Sequence, residues 1–227
     1  MKALWIAIYF TVLVWSAIEP LDYFTWLLEV SPAMIGLIVL AATRHAFPLT
    51  SLSYGLVLIH CIILMVGGHY TYAQVPFFDT LGGYVEWERN NFDKVGHFAQ
   101  GFVPAIIARE ILIRNSVLSN RTWLNVMVVS LCLAFSALYE IFEWGVARLT
   151  GDSAEAFLAT QGYAWDTQSD MALALLGAIL ALTAFARVHD RQIKGLPSGH
   201  SLNPPERSGK VSSLPGDPSR NPDTRLR

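Results

Sequence analysis

One apolar run, residues 123–146, constrains this chain more than any other segment because it is long enough to cross a lipid bilayer. It begins at Trp123 and ends at Val146, and its only charged residues are Glu140 and Glu143. About 20 apolar residues in a helix span the hydrocarbon core of a membrane. A charge at that depth is costly, so an ionisable residue there indicates a functional site. The two glutamates therefore predict a polar site within a membrane-spanning helix.

The composition also indicates a membrane protein. Hydrophobic residues make up 53% of the chain and charged residues 15%, with a mean hydropathy of +0.39. Soluble domains usually carry about a quarter charged residues. The net charge of -2 and the lack of a basic block before the C-terminal tail argue against a nucleic-acid partner. Cys61 and Cys132 lie in apolar segments, which predicts buried thiols rather than a disulfide.

The remaining apolar segments predict an all-α, polytopic membrane helix bundle of about six transmembrane helices. The predicted spans are residues 4–18, about 24–43, 51–67, 94–113, 123–146 and 167–186. The longest internal connection, residues 68–91, is rich in aromatic residues that suit a membrane interface. Residues 190–227 are rich in Pro, Ser, Gly, Asn and Arg, which predicts a disordered cytoplasmic tail. The expected organisation is therefore a six-span domain, residues 1–189, followed by that tail.

The distribution of Lys and Arg sets the expected orientation, because cytoplasmic loops carry an excess of positive charge. Six spans place both termini on the same side of the membrane. That side holds Lys2, Arg44, Arg109, Arg114, Arg121, Arg187, Arg191, Lys194 and the tail, whereas the other side holds Arg89, Lys94 and Arg148. The bias places both termini in the cytoplasm.

This topology brings polar residues from distant segments to the outer membrane face. They are Glu29, His69, Asp93, His97, Glu140, Glu143, Asp166 and Asp170. The pairs Asp93/His97, Glu140/Glu143 and Asp166/Asp170 are three or four residues apart, so each pair shares one face of its helix. Each of the three helices can therefore point its pair into the bundle.

Helix capping is an alternative explanation for the aspartates. Asp93, Asp166 and Asp170 stand near predicted helix starts, where a side chain can cap the first turn and negative charge is favoured. Glu140 and Glu143 lie near a helix C-terminus, where the helix dipole disfavours an anion. Glu140 is also roughly 10 Å inside Val146. It must therefore be protonated, paired with a cation or bound to a metal.

Few counter-charges are available for these acids. The candidates at the same face are Lys94, His97, His69 and Arg148, and His60 lies at a depth comparable to Glu140. When all are ionised, the acids outnumber the four bases at the same face, since there are five: Asp93, Glu140, Glu143, Asp166 and Asp170. Either some acids are protonated or a further cation contributes.

Six short motifs resemble the YjdF-like family of bacterial inner-membrane proteins. They are GGHYTY at 67–72, DKVGHF at 93–98, QGFVPA at 100–105, AREIL at 108–112, YEIFEW at 139–144 and WDTQSDM at 165–171. The resemblance covers residues 1–187 and implies a multi-pass protein of the inner (plasma) membrane without naming an activity. The pattern D-K-x-x-H-F, E-x-x-E and D-x-x-x-D is also similar to VanZ-like proteins, which are linked to glycopeptide-antibiotic tolerance. Glu143 departs from that group, where a Gln is more typical, and no role is transferred from it.

The first functional hypothesis is a metal-assisted enzyme acting on a lipid or lipid-linked cell-envelope substrate. The candidate catalytic residues are His97, Glu140, Glu143, Asp166 and Asp170. Of these, His97, Glu140, Glu143 and Asp170 are the candidate ligands of a divalent metal, and oxygen-rich ligation favours Mg, Mn or Ca over Zn. The candidate substrate-binding residues are His69, Tyr72, Asp93, Lys94 and Gln100.

Two further hypotheses place the same residues in other classes of protein. Intramembrane Glu and His residues commonly relay protons or bind cations, which predicts a proton- or cation-coupled transporter. Alternatively, the polar cluster locks the bundle of a structural or partner-binding membrane protein. In that case neutralising Glu140 or Glu143 lowers the folded yield rather than a specific activity.

Overall fold

A computed structural model of the chain describes residues 2–150 and 161–196, and all regular structure within these residues is helical. The helices are α1 (Lys2–Ser16), α2 (Tyr23–Thr43), α3 (Ser51–His69), α4 (Pro76–Val85), α5 (Phe92–Arg114), α6 (Arg121–Thr150), α7 (Asp166–Ala184) and α8 (Ala186–Ile193). The predicted all-α fold is confirmed. Cys61 and Cys132 are free and buried, as the sequence predicts.

Within residues 2–150 and 161–196, four helices, α2, α3, α6 and α7, are long and apolar enough to cross a membrane. Several of their large apolar side chains are exposed, including Ile38 at 67% and Leu138 at 61%, as expected of surfaces that face lipid. Helix α5 has 23 residues, but it carries charged side chains at both ends. Helix α1 has 15 residues and is therefore about 22 Å long, shorter than the roughly 30 Å hydrocarbon core.

Helix α5 lies at the centre of the bundle. It packs against α3, α6 and α7, while α1 and α2 pack on α3. The closest pair is α5 and α7, since a Cβ atom at Gly101 would overlap the backbone of Ala174, and one at Gly177 would overlap the carbonyl of Phe98. Small residues permit such close approach between membrane helices. This contact fixes the N-terminal turns of α5 and α7 beside each other.

An apolar core fills the middle of the α5–α6–α7 unit. Its fully buried members come from all three helices: Ala105, Ile106, Val128, Cys132, Ala178 and Ala181. A second core joins α1, α2 and α3 through Tyr9, Val30, Ala33, Cys61 and Met65. The chain therefore forms two packed units that meet through α3 and α5.

Two helices were not predicted from the sequence. Helix α4 lies within the 68–91 connection and has Pro76 in its first turn. Its C-cap residue, Glu86, adopts a left-handed conformation with φ 55°. Helix α8 continues to Ile193, so the predicted domain boundary at residue 190 falls inside a helix. Polar contacts rather than apolar ones attach α8, which hydropathy does not reveal; Gln192 Oε1 accepts from the Leu52 backbone N–H at 2.9 Å. Residues 197–227 of the predicted tail lie outside the described residues.

Candidate functional site

His97 stands at the centre of a group of buried acids from three helices. Its Nε2 lies 3.2 Å from Asp93 Oδ1, one turn earlier on α5, and 3.8 Å from Asp170 Oδ2 on α7. Its Nδ1 lies 3.1 Å from Gln100 Oε1 and 3.7 Å from Glu140 Oε1 on α6. We call Arg89, Asp93, His97, Glu140, Asp166 and Asp170 the acid cluster. The structure thus brings together four of the five predicted catalytic residues and two predicted substrate-binding residues, Asp93 and Gln100.

The aspartates do not cap their helices. The N-cap positions of α5 and α7 are Asn91 and Trp165, and neither makes a side-chain capping hydrogen bond. Asp93 and Asp166 direct their carboxylates sideways toward Arg89, and Asp170 directs its own toward His97. None of the three aspartates is the N-cap residue of its helix, but Asp93 and Asp166 lie in first turns, where the helix dipole favours negative charge.

Arg89 supplies the cation that the sequence analysis did not assign. Its Nη1 donates to Asp166 Oδ1 at 2.5 Å, and its Nη2 lies 3.5 Å from Asp93 Oδ2. The side chains of Arg89 and both aspartates are each 10% exposed. The contact joins the segment before α5 to the first turn of α7. Arg89 is four residues before Asp93, a spacing that could have identified the pair. It was overlooked because it precedes the predicted span.

Three ligand atoms in the acid cluster converge on one point. Atoms from Asp93, His97 and Asp170 all lie within 4.8 Å of one another, a geometry that can hold a metal ion. His97 Nε2 faces both carboxylates, 3.2 Å from Asp93 Oδ1 and 3.8 Å from Asp170 Oδ2, so a proton on this nitrogen would favour their ionised forms. A bound divalent ion would replace it, because an imidazole ligand must give up its proton to the metal.

Glu140 adds a fourth carboxylate beside this trio. Its Oε1 is buried and has no hydrogen-bond partner, although it lies 3.7 Å from His97 Nδ1. Buried polar atoms are almost always hydrogen-bonded, so an exception requires an explanation such as an ion or a functional role. Asp93 Oδ2 also has no hydrogen-bond partner, so the acid cluster contains two such buried carboxylate oxygens among the described residues.

Four of the predicted site residues lie away from the trio: Glu143, His69, Lys94 and Tyr72. Glu143, a predicted metal ligand, lines a neighbouring cavity instead, and Asp93 takes its place in the converging set. His69 packs against α1, where its Nδ1 is 3.1 Å from the Ser16 carbonyl oxygen. Lys94 Nζ lies over the Tyr163 ring, 5.7 Å from its centroid. Glu143 lies one turn from Glu140 on α6, and its side chain lines the cavity.

The cavity beside His97 has a volume of about 120 Å³. Its wall includes Glu29, His60, Tyr72, Tyr139 and Glu143. His60 therefore faces this cavity, and no ion pair or hydrogen bond of the described residues joins it to Glu140. The Tyr139 hydroxyl donates to Glu29 Oε2 at 2.9 Å. The sequence analysis placed Glu29 at the same membrane face as the acid cluster but did not include it in the site, because a single acid near a helix start carries no pairing signal.

Tyr72, a predicted substrate-binding residue, occupies the junction between α3 and α5. Its ring lies against Gly67 and Gly96, where a Cβ atom would collide with it. Burial, and then the nearby Glu29 carboxylate, raise the pKa of Tyr72 well above 10. The hydroxyl therefore stays protonated and serves as a hydrogen-bond donor toward the cavity.

A second polar group lies at the opposite end of α5, centred on Glu110. The Glu110 carboxylate accepts hydrogen bonds from the Thr50 N–H and hydroxyl, both at 2.9 Å, and from the Ser53 hydroxyl at 2.6 Å. It also contacts Arg114 Nη1 at 3.0 Å and His189 Nε2 at 3.2 Å. Glu110 is fully buried, with five contacts from four residues on α3, α5, α8 and the loop before α3. We call this set, together with Arg109 and Asp190, the Glu110 cluster.

Asp190 and Arg109 extend the Glu110 cluster to the surface. Arg109 pairs with both His189 and Asp190, and Arg121 at the start of α6 pairs with the other oxygen of Asp190. Partial burial acts to raise the pKa of Asp190, but Arg109 and Arg121 outweigh it and hold that pKa below its usual range. The sequence analysis predicted a cytoplasmic location for Arg109 but did not predict the partners of Arg109 and Glu110 on α8.

Comparison with known proteins identifies relatives of this chain. The family described as "Predicted membrane protein (DUF2238)" matches residues 1–191. Inner membrane protein YjdF of Escherichia coli (strain K12) is 47% identical over 190 residues, which cover 83% of this chain and 91% of that protein. No solved structure matches. The similarity to VanZ-like proteins, which depends on three short motifs, stays a prediction.

Proposed function

Because this chain belongs to the predicted membrane protein family DUF2238 and is a multi-pass protein of the bacterial inner membrane, we propose that its acid cluster is a membrane-embedded active site. The proposed protein is a metal-assisted enzyme acting on a lipid or lipid-linked envelope substrate. The finer topology is part of the same proposal: six spans, both termini and the tail in the cytoplasm, and the acid cluster at the periplasmic face.

The observation that carries this proposal is the convergence of Asp93, His97 and Asp170 within 4.8 Å, inside the bundle. Two carboxylates and one imidazole form a donor set that suits Mn²⁺ or Mg²⁺. The uncompensated Glu140 oxygen beside the trio supports the same assignment, because a divalent cation would balance its charge. Arg89 neutralises part of the negative charge of Asp93 and Asp166. Because it contacts Asp93 Oδ2, it leaves Asp93 Oδ1 facing His97.

The residues suggest a division of roles. A divalent ion held by the trio would supply a Lewis acid and lower the pKa of a bound water. Glu140 Oε1 lies 3.7 Å from His97 Nδ1, so a shift of about half an ångström would bring it within reach of a proton on that nitrogen. Gln100 Oε1 contacts the same nitrogen at 3.1 Å and orients the imidazole.

The packing of the bundle favours this enzyme over a proton- or cation-coupled transporter. His97 and Glu110 are 13 residues apart on α5, about 20 Å along the helix axis. The intervening level is filled by fully buried apolar residues such as Ile106, Val128 and Ala178. A transport route through α5, α6 and α7 would have to open this core. The two carboxylate oxygens without a hydrogen-bond partner, on Asp93 and Glu140, favour a ligand-binding site over the third alternative, a purely structural cluster.

The proposal is tested with purified protein in lipid nanodiscs loaded with Mn²⁺. We expect about one ion per chain in the wild type, and Asp170→Asn should weaken binding by more than the roughly 10- to 100-fold typical of outer-shell residues. Glu88→Gln is the matched control: it removes one exposed carboxylate near the same end and should leave the ion bound.

The same samples separate the three functions when they are incubated with total bacterial membrane lipids and Mn²⁺. An enzyme yields a new lipid-derived product by mass spectrometry, and Asp170→Asn abolishes it. Bound Mn²⁺ with uptake into liposomes but without product would instead indicate a transporter. Loss of folded protein in Asp170→Asn, with no ion in the wild type, would indicate a structural cluster.

A further inference from the structure

The cavity beside the acid cluster is formed by both packed units of the bundle. Glu29 and Pro32 come from α2, His60 and Leu64 from α3, and the remaining wall from α5, α6 and the turn after α3. At about 120 Å³ it has room for roughly four water molecules or a small polar group. It is therefore too small for a whole substrate but large enough for the reacting part of one.

Helices α2 and α6 both line the cavity but pack little against each other. Helix α2 packs on α3, whereas α6 packs on α5 and α7. Pro32 on the cavity wall is also exposed. Ile35, one turn after Pro32, and Leu138, next to Tyr139 on α6, are exposed apolar residues. An opening between α2 and α6 would therefore face a surface suited to lipid contact.

The depth of the opening points to a ligand that comes from the bilayer. Pro32 is nine residues from the start of α2, and His60 is nine residues from the end of α3. At 1.5 Å per residue, each lies about 13 Å from its helix end, which is within the hydrocarbon region of a bilayer about 30 Å thick. A water-soluble molecule has no direct path to a side opening at that depth, whereas a membrane lipid is already there.

The hydrogen bond from Tyr139 to Glu29 crosses this opening. Its 2.9 Å contact joins α6 to α2, the two helices that otherwise lack close packing. Glu29 is 4% exposed, and the Tyr72 hydroxyl approaches the same carboxylate. A group that reaches His97 from the side must pass this bond, and when the bond opens, Tyr139 gains a free hydroxyl to offer to the incoming oxygen.

We propose that the cavity is the entry site for a membrane lipid, whose ester or phosphoester linkage passes between α2 and α6 to reach His97, with the Glu29–Tyr139 hydrogen bond as its latch. This inference rests on the proposed function, because it names the substrate class of the same site. It assigns Glu29, Tyr139 and Leu64 roles in lipid entry that the acid cluster alone does not require.

The test uses wild-type protein in nanodiscs containing phosphatidylethanolamine with a diazirine close to the ester of one acyl chain. After illumination, peptide mass spectrometry locates the lipid adducts. We expect adducts at Leu64 or Tyr139, on the cavity wall, in addition to the unavoidable adducts at lipid-facing positions such as Leu138. Adducts confined to the lipid-facing positions would overturn the proposal.

Two variants sharpen this result. Leu64→Trp fills the cavity and should remove the cavity adducts, while Leu138→Trp adds the same indole on the exposed face of α6 and should leave them unchanged. Tyr139→Phe removes the latch hydrogen bond and should raise the cavity labelling about fivefold, the factor expected from one net hydrogen bond. Cavity labelling that is equal in Leu64→Trp and wild type, with both proteins folded, would contradict lipid entry here.

A failure of lipid entry can be told apart from a failure of the proposed enzyme. Labelling requires neither a metal ion nor turnover, so Asp170→Asn should retain the cavity adducts while losing Mn²⁺. Mn²⁺ binding without cavity adducts would disprove the entry site alone. Cavity adducts without Mn²⁺ binding would disprove the metal-assisted reaction alone.

Discussion

The acid cluster and the Glu110 cluster bury carboxylates at opposite ends of the same helix, α5, but they satisfy these carboxylates differently. Glu110 is a single acid with contacts from Thr50, Ser53, Arg114 and His189. The acid cluster holds four carboxylates against one arginine and one histidine, with Glu140 Oε1 unpaired and a cavity adjoining His97.

This difference shows that burial of a charge is a weaker indicator of function than the completeness of its contacts. A buried carboxylate that is fully hydrogen-bonded stabilises one arrangement of the helices. A group of carboxylates with too few partners is costly to fold, so its retention indicates a ligand or a reaction. This criterion supports the proposal that the acid cluster is the functional site and that the Glu110 cluster has a structural role.

The largest expected effect comes from Glu110→Ala. It leaves Arg114 and His189 buried without their shared anion, and breaking a buried pair in this way costs about 3–5 kcal/mol in the free energy of unfolding. We expect a severe loss of folded protein, measured by thermal unfolding in nanodiscs. The comparison variant Glu140→Ala should change the free energy of unfolding by less than about 1 kcal/mol, or increase it, because it relieves repulsion among acids. Equal destabilisation by the two variants would remove the distinction between the clusters.

An intermediate effect is expected from Gly101→Ala, which tests how the acid cluster is positioned. The added methyl group meets the Ala174 backbone and must push α5 away from α7. Overpacking of this kind costs about 1–3 kcal/mol in the free energy of unfolding. It should also weaken Mn²⁺ binding, because Asp93 and His97 move away from Asp170. Gly145→Ala on α6 is the control, since nothing lies within 4 Å of its added carbon, and it should be neutral or stabilising.

The smallest effect concerns pH and Asp190. Arg109 and Arg121 hold the pKa of Asp190 below its usual value in the folded state. The Asp190 carboxylate therefore stabilises the fold fully above its unfolded pKa of about 3.9. This contribution is lost as the pH falls through the pKa of the folded state. Asp190→Asn should therefore lower the unfolding midpoint at pH 7 and have less effect below about pH 4. The change is at most about 1 kcal/mol because Asp190 is partly exposed. A difference that is unchanged at pH 3 would contradict this account.

The sequence predicted the helices well because their signals are local. The starts of α2 and α6 lie within two residues of the predicted ones, and the contribution of Asp93, Glu140 and Asp170 to one region followed from topology and helical spacing. The missed features depend on contacts between distant segments. Neither the pairing of Arg89 with Asp166 nor that of His189 with Glu110 has a signal in local sequence, because each joins residues more than 70 positions apart.

The position of Glu143 shows the limit of spacing arguments. It shares a helix face with Glu140, but the two carboxylates reach different surroundings, one beside His97 and the other in the cavity wall. Which of two neighbouring acids can bind an ion depends on where the partner helices approach α6. Only the three-dimensional arrangement shows that Asp93, rather than Glu143, completes the trio.

The most direct test of the account is pulsed electron paramagnetic resonance of Mn²⁺ bound to the purified protein. An ion held by Asp93, His97 and Asp170 would contact a ring nitrogen of His97. The wild type should therefore show a nitrogen coupling from one imidazole. His97→Gln should lose this coupling, whereas His69→Gln, which changes a histidine packed against α1, should retain it. Bound Mn²⁺ without a nitrogen coupling, or a coupling that persists in His97→Gln, would contradict a metal site at Asp93, His97 and Asp170.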